Sequence, residues 1–484
     1  MYRVMLYYLT ALWVIAFICS FFGFVPYSPL PLFLSLIVLL FAAYVTNKAC
    51  AYFLKVPANV ESIYISVFIL ALILSPAGTA SEYLILAFTG GFAMASKYIF
   101  AIKHKHIFNP AAFAVVAGTL LFGQWASWWV GAGVLTPFVF VGGLLIIKKI
   151  KRVDLTISFL IVSLLSIIAF NFFRGLPAQT GGNILNIIQT TLLYSPLFFF
   201  AFVMLPEPLT SPTSRWPRII YGTLVGFLFA FPFHIGAVYF TPEISLLAGN
   251  FFAYIVSPKK RLTLKLKKSI PITSDVTEFI FDTNHSFDFR SGQYLEWTLG
   301  HEKPDTRGNR RYFTIASSPT EKELRLGVKF YEKGSTFKKT LREMDPGHTI
   351  IAGQLSGDFV LPKDKNKKLV FIGGGIGITP FRSMIKYLID MKEKRDVVLI
   401  YSNKKDSGIA YKDIFDIATK YFNLKVIYTS FIEEKIILEG VKDWHERTFY
   451  ISGPPSMVDH AKKIIKNLGV KNSDIKTDFF PGYA

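Results

Sequence analysis

Between residue 5 and residue 256 the chain is a succession of apolar runs, each near the length needed to cross the ~30 Å hydrocarbon core of a bilayer. In lipid the backbone must satisfy its own hydrogen bonds, and single runs of this length do so as helices. The intervals 5–24, 29–46, 62–76, 82–102, 109–125, 128–147, 155–173, 187–205, 218–236 and 241–256 predict a polytopic α-helical membrane domain of about ten transmembrane helices. Several of these are short, so tilted or broken spans are expected. After Ser257 charges recur every few positions, and the chain is long enough there for two small soluble domains. A hydrophobic content of 52% and a mean hydropathy of +0.40 are too apolar for a wholly soluble chain of 484 residues.

The charges of alternate loops separate by side. Lys48 and Lys55, Lys97, Lys103 and Lys105, Lys148 to Arg152, Arg215 and Arg218, and Lys259 to Arg261 fall on one side, while Arg174, Glu82 and Glu243 fall on the other. By the positive-inside rule the first side is cytoplasmic, and with it both termini of a multi-pass cell-membrane protein of bacterial type. Glu82, Glu207 and Glu243 all fall near loops and read as interfacial. The net charge of +20 is then a matter of topology and no sign of nucleic-acid binding. The first apolar run is too long, and lacks a small-residue cleavage site, for a removable signal peptide. Two cysteines, Cys19 and Cys50, exclude a disulfide framework, a zinc site or an iron-sulfur cluster built within the chain, and no metal centre is expected. Two proline-entered helices, "NPAAFAVVAG" from Asn109 and "TPEISLLAG" from Thr241, start on opposite sides. They suggest an inverted repeat whose broken helix ends face each other.

The soluble half opens with alternating stretches such as "PITSDVTEFIFDT", which read as strands of an antiparallel β-barrel. In the strand "RYFTIAS", Arg311, Phe313 and Ile315 share one side of the pleat and Thr314 takes the other. A fixed guanidinium suits a pyrophosphate, an aromatic ring a flavin, and a hydroxyl the flavin's edge. In "GSTFKKTLREM", Gly334, Ser335 and Thr336 open a helix whose free N–H groups can receive phosphate oxygens. From Lys368 the pattern becomes strand, turn, helix. The turn of Gly373, Gly374, Gly375 and Gly377 leaves room for a phosphate, with Thr379 as the cap and Pro380 at the first helical position. Further strand ends at "VVLIYSNKK" and "RTFYISGPPSM" give the α/β doubly wound pattern of a dinucleotide-binding domain.

These motifs resemble, in order and spacing across residues 263–484, the ferredoxin-NADP reductase family. "RYFT" resembles its flavin motif, "GGGIGITP" its pyrophosphate turn and "SGPPSM" its nicotinamide loop. The resemblance implies FAD on the barrel, NADH or NADPH on the second domain, and hydride transfer from nicotinamide to flavin. Arg311 would hold the flavin phosphate, Phe313 would stack on the ring and Thr314 would bond near N5, with Ser317, Gly334, Ser335 and Thr336 completing the flavin site. Gly373, Gly374, Gly375, Gly377, Thr379 and Pro380 would cradle the dinucleotide, and Ser452, Gly453, Pro454 and Met457 would border the nicotinamide. Thr314, Ser452 and Asp478 would be catalytic. Phe479 or Tyr483 of the tail would lie over the flavin, and Lys404 and Lys405 could meet a 2′-phosphate. Phe313 stands where the family has tyrosine, and Ser452 where it has cysteine.

The membrane half is similar to the B subunit of the sodium-translocating NADH:quinone reductase and the D subunit of the Rnf complex. The similarity rests on "ASKYIFAIKHKHIFNPAAF", "FVMLPEPLTSPTSRWPRIIYG" and "YFTPEISLLAGNFFAYIVSP". The family's covalent-FMN segment is absent, its loop reduced to "FGQWASWW". A membrane reductase of the oxidase type needs paired histidines for haem, and His104, His106 and His234 supply no such pair, so no haem is expected. The expectation is a fusion: a transmembrane electron-transfer domain (1–256), a linker (257–262), an FAD-binding β-barrel (263–364) and an NAD(P)-binding α/β domain (365–484). It would act as a membrane-bound NAD(P)H dehydrogenase passing electrons to a quinone or an extracytoplasmic acceptor. A second non-covalent flavin, FMN or riboflavin, could sit near a loop containing His106 and Asn109. Two alternatives stay open, a membrane-anchored flavin reductase for a soluble acceptor and a redox-gated transporter. The bilayer is the expected partner; the sequence names no subunit partners.

Overall fold

The computed structural model describes residues 2–478 except 55–59, 103–104, 132, 151, 174–183, 231–233, 236–237, 258–260, 284–286, 302–303, 306, 404–407 and 423. His104, Lys404, Lys405, Phe479 and Tyr483 therefore lie outside the described residues. The chain forms two compact units, Met1–Lys259 and Lys260–Ala484.

Every apolar interval of the first unit holds a helix: α1 (Tyr2–Phe21), α2 (Pro29–Phe53), α3 (Val60–Ile73), α4 (Ala80–Ile99), α5 (Pro110–Phe122), α6 (Thr136–Ile150), α7 (Val153–Phe173), α8 (Ile184–Tyr194), α9 (Leu197–Phe199), α10 (Arg215–Ala230) and α11 (Pro242–Val256). Among the described residues four segments, Arg3–Phe21, Pro29–Phe53, Gly133–Ile150 and Val153–Phe173, are long and apolar enough to cross a membrane. The interval 187–205 is not one straight span. It bends by 58° between α8 and the segment Leu197–Met204, which begins after Pro196 and ends in a π turn over Phe200–Met204. Proline lacks the N–H a continuing helix would need. Helix α5, of 13 residues, is also shorter than its apolar interval suggests, whereas α11, of 15 residues, fills its own.

The two halves of this unit repeat one plan. In the first, Gly90 and Gly91 of α4 let it press against α2, where an added Cβ at Gly90 would meet the Leu39 carbonyl oxygen at 3.0 Å. In the second, Gly226 of α10 meets α7 the same way, with the Phe159 carbonyl oxygen 2.8 Å from an added Cβ. Each pair is followed by a two-residue hairpin, β1 (Ala101–Ile102) with β2 (Lys105–His106), and β3 (His234–Ile235) with β4 (Val238–Tyr239). Each hairpin leads into a short proline-entered helix capped by a side chain, Asn109 on α5 and Thr241 on α11. The expected meeting of their broken ends is not what forms. The Asn109 N–H bonds to Asn250 in the latter half of α11, and Glu243 at the start of α11 bonds to Trp128, beyond the end of α5. The two helices therefore lie side by side and antiparallel.

The second unit has two sheets. Strands β5 (Arg261–Pro271), β6 (Val276–Asp282), β7 (Tyr294–Thr298), β8 (Arg310–Thr314), β9 (Leu324–Lys329) and β10 (Thr349–Ser356) form an antiparallel sheet in the order β8-β7-β10-β5-β6-β9. Alternate residues such as Leu264, Leu266, Phe279, Phe281, Leu295 and Trp297 fill its core, against Phe337 and Leu341 of helix α12 (Thr336–Arg342). The other sheet is wholly parallel: β11 (Leu369–Gly374), β12 (Val397–Ser402), β13 (Leu424–Thr429), β14 (Thr448–Ser452) and β15 (Ile475–Asp478), in the order β13-β12-β11-β14-β15. Its inner strands β11, β12 and β14 are near-continuous apolar runs because helices α13 (Thr379–Asp390), α14 (Lys412–Tyr421), α15 (Glu434–Gly440) and α16 (Pro455–Asn467) cover both faces. Strand order reverses between β11 and β14, a topological switch point.

Candidate functional site

Arg311 sits mid-strand on β8, opposite the buried Trp297 of β7. Its Nη1 donates to the carbonyl oxygens of Arg310 (2.7 Å), Arg307 (2.9 Å) and Gly308 (3.1 Å), and its Cζ lies 5.2 Å from the Phe337 ring centroid. The preceding loop thus fixes the guanidinium in place. Phe313 shares that side of the strand, its ring 6.0 Å from that of Phe337. Thr314 faces the other way, paired with Tyr294, beside Tyr312. Ser317 is fully buried. Its hydroxyl accepts the Arg325 N–H at 3.2 Å and its carbonyl accepts the Ser383 hydroxyl at 2.6 Å, so it ties the antiparallel sheet to α13.

The opening of α12 differs from expectation. Ser335 is its cap, accepting the Lys338 N–H at 3.4 Å. The Gly334 N–H is spent on the Tyr331 carbonyl, and the Thr336 N–H donates to Asp305 Oδ2 at 3.0 Å. A carboxylate from the loop before β8 has taken the place foreseen for phosphate at Thr336, because an anion is favoured at a helix start. Arg307 clamps Asp305 in turn, at 2.8 Å and 3.0 Å. Burial works against the charged carboxylate, but the Arg307 guanidinium and the N–H groups of Thr336 and Arg307 outweigh it and hold its pKa at about 2. Beside this helix start three cations, Arg311, Arg307 and Lys338, stand close to one another. Crowded like charges of this kind fit the phosphates of a bound FAD.

At the switch point, Gly375 turns with φ +53°, in the left-handed region where glycine is free of strain. Gly377 touches the end of the neighbouring strand, and an added Cβ would lie 2.5 Å from Gly453 Cα and from the Ser452 carbonyl oxygen. Met457 packs its methyl group under Gly374 and Gly453. The expected capping by Thr379 does not form. Thr379 is itself the first helical residue, its hydroxyl donating back to the Ile376 carbonyl at 3.1 Å, and Pro380 follows within the first turn. Pro454 precedes α16 as its cap residue. Ser452 pairs with Gly373 on one side and Asp478 on the other, so Asp478 belongs to a strand and is not frayed. These groups converge on the carboxyl ends of β11 and β14.

In the membrane unit, Asn109 caps α5 by accepting the Ala112 N–H at 3.0 Å and donates from Nδ2 to Glu207 Oε2 at 2.9 Å. Thr210 donates to the same oxygen at 2.9 Å, and His106 Nε2 stands 3.8 Å from Glu207 Oε1. Asn250 closes the cluster, donating to the Thr210 carbonyl and the Tyr221 hydroxyl. His106, Thr210 and Asn250 line a small open crevice together with Ile102, Leu209 and Tyr254. Of the three carboxylates expected near an interface, Glu82 caps the exposed start of α4 with Thr79, Glu207 joins the Asn109 cluster and Glu243 turns into the protein. Glu243 is 3% exposed and bonded to Trp128 Nε1 at 2.8 Å, because the tryptophan loop folds inward over α11. Lys97 likewise turns inward, its ammonium 2.8 Å from Ser62 Oγ and 3.1 Å from Ser66 Oγ, so it is not simply a loop charge.

Sequence reasoning missed Asp305 and a second cluster on the Thr314 side of the strand. There Tyr294 and Tyr312 pack edge to face at 5.8 Å, and the Tyr312 hydroxyl donates to the buried Glu296 at 2.8 Å. Gln354, held at φ +52° beside an irregularity in β10, donates to Glu296 as well. The signal available was the phase of "QYLEW", in which Tyr294 and Glu296 alternate with apolar residues.

Comparison with known families follows this division. Residues 131–257 match the profile of the NQR2, RnfD, RnfE family, residues 263–359 an oxidoreductase FAD-binding domain, and residues 371–463 an oxidoreductase NAD-binding domain. The chain thus carries an NQR2/RnfD/RnfE-like segment followed by the FAD-binding and NAD-binding domains of a flavin-dependent NAD(P)H oxidoreductase. Among curated proteins it is similar to a flavohemoprotein of Bacillus thuringiensis subsp. konkukian, 27% identical over 239 residues, 45% of this chain and 59% of the relative. An NADPH oxidoreductase of Mycobacterium tuberculosis is 26% identical over 197 residues, 39% of this chain and 51% of the relative. The chain thus spans less than two thirds of the length of these relatives. Among solved structures, a cytochrome P450 reductase of Amycolatopsis aligns with a TM-score of 0.41 at 20% identity, over 46% of this chain and 72% of the other.

Proposed function

We propose that the chain is a membrane-bound NAD(P)H dehydrogenase that takes a hydride from cytoplasmic NADH or NADPH and delivers electrons through its membrane unit to a quinone or an extracytoplasmic acceptor. The observation that carries this is the succession within one chain. An NQR2/RnfD/RnfE segment ending at residue 257 is followed at residue 263 by the flavin and nicotinamide domains. FAD, when bound, accepts a hydride as a pair of electrons and can release them singly.

The residues divide that work. Arg311, held by three carbonyls, orients the flavin phosphate; Phe313 offers its ring to the isoalloxazine and Thr314 a hydroxyl to its edge. The glycine turn admits the dinucleotide phosphates, with Gly377 and Gly453 giving a floor without side chains. Ser452 orients the nicotinamide. The neighbouring carboxylate of Asp478 stabilises the positive charge that develops on the nicotinamide ring as the hydride leaves. In the membrane unit, about ten spans with both termini cytoplasmic would set the cluster of His106, Asn109 and Glu207 on the cytoplasmic side. There it would receive electrons, directly or through a non-covalent FMN or riboflavin.

Asn109→Ala separates the two stages. NAD(P)H-to-ferricyanide activity is expected to stay unchanged, while delivery to a membrane quinone falls by at least about tenfold, in line with loss of positioning. Equal loss of both activities would count against the role of the membrane unit.

A further inference from the structure

Arg311 is not the only cation committed to the flavin site. Lys338, in the first turn of α12, is 8% exposed. Its ammonium donates to the Lys329 carbonyl at 2.9 Å and lies 4.8 Å from the Tyr331 ring centroid. Around it stand Arg311 of β8, Arg307 and Asp305 of the loop before β8, and Lys329 of β9. His301 reaches the same helix start through the Thr336 hydroxyl. The two carboxylates nearby are already engaged, Asp305 with Arg307 at 2.8 Å and Asp275 with Lys329 at 2.7 Å. A buried ammonium held by one carbonyl and one ring, among further cations, is an unfavourable arrangement that a bound anion would relieve.

We propose that Lys338 is a phosphate ligand of the flavin site, gripping with Arg311 the phosphates of the bound flavin nucleotide. This rests on the flavoprotein reading above. Burial, then the charges of Arg311, Arg307 and Lys329, push the Lys338 ammonium down to about 8. A phosphate beside it restores the ordinary affinity for the proton, so binding in this pH range draws a proton from solution.

The test uses the full-length protein in detergent, stripped of flavin and titrated with FAD and with riboflavin, reading flavin fluorescence and proton uptake in weak buffer near pH 8. Lys338→Met is expected to weaken FAD binding by about tenfold or more, to leave riboflavin binding unchanged and to reduce proton uptake. Lys338→Arg, which keeps the charge, should restore FAD affinity without restoring the uptake, and so guards against a misfolded variant. Undiminished FAD affinity in Lys338→Met, equal weakening of FAD and riboflavin, or unaltered proton uptake would each overturn the assignment. A wild-type protein without affinity for FAD would instead overturn the flavoprotein reading itself.

Discussion

Arg311 and Asp305 lie either side of one loop and make opposite predictions. Arg311→Ala removes the guanidinium anchored by three carbonyls, and the purified protein is expected to lose most of its FAD, seen as a fall in flavin absorbance per chain. Asp305→Asn should keep FAD but lose stability. Its folded pKa of about 2 lies below the unfolded value, so its stabilisation is fully present above pH ~4 and disappears as the pH falls through the folded pKa. The loss at neutral pH is on the order of 2 kcal/mol, read as a lower melting temperature of the soluble unit that vanishes in acid. Gly377→Ala places a methyl group 2.5 Å from Gly453 Cα, and it is expected to raise the KM for NAD(P)H with FAD content unchanged. Arg311 and the glycine turn were legible because their chemistry is carried by contiguous residues. Asp305 was not, because it meets the Thr336 N–H across 31 positions of sequence, and no local pattern marks that pairing.

Helices and strands were legible to different depths. Hydropathy located every apolar helix of the membrane unit, since burial in lipid leaves a length signature that needs no partner. It overran α5 and missed the bend at Pro196, whose limits are set by side-chain caps and by neighbouring helices, while α11 fell within one residue of its interval. Glu243 shows why: its place near an apolar boundary suggests an interface, whereas Trp128 from a distant loop buries it. In the soluble unit β11, β12 and β14 were plain from their apolar runs, whereas β13 and β15, with fewer apolar residues, were not, and the strand order that makes the switch point emerged only in the fold. The glycine contacts of α10 against α7 give an element-level prediction. Gly226→Leu would drive a side chain into the Phe159 backbone and part the two helices, costing about 1–3 kcal/mol. Thermal unfolding in detergent should show it as a lower melting temperature, with the FAD content of the soluble unit unaffected.

For the molecule as a whole, the question is whether the two units share electrons. The division into Met1–Lys259 and Lys260–Ala484 was foreshadowed by the change in composition near Ser257, because lipid and water demand different surfaces. The most direct measurement is an anaerobic titration of the purified full-length protein with NADH or NADPH, followed by its visible spectrum and by the number of flavins released in acid. Two flavins per chain, both bleached by NAD(P)H, with electrons then recovered in a lipid-soluble quinone, is the result expected. A single flavin that reduces soluble acceptors but never the quinone would contradict the central claim and leave the membrane unit an anchor.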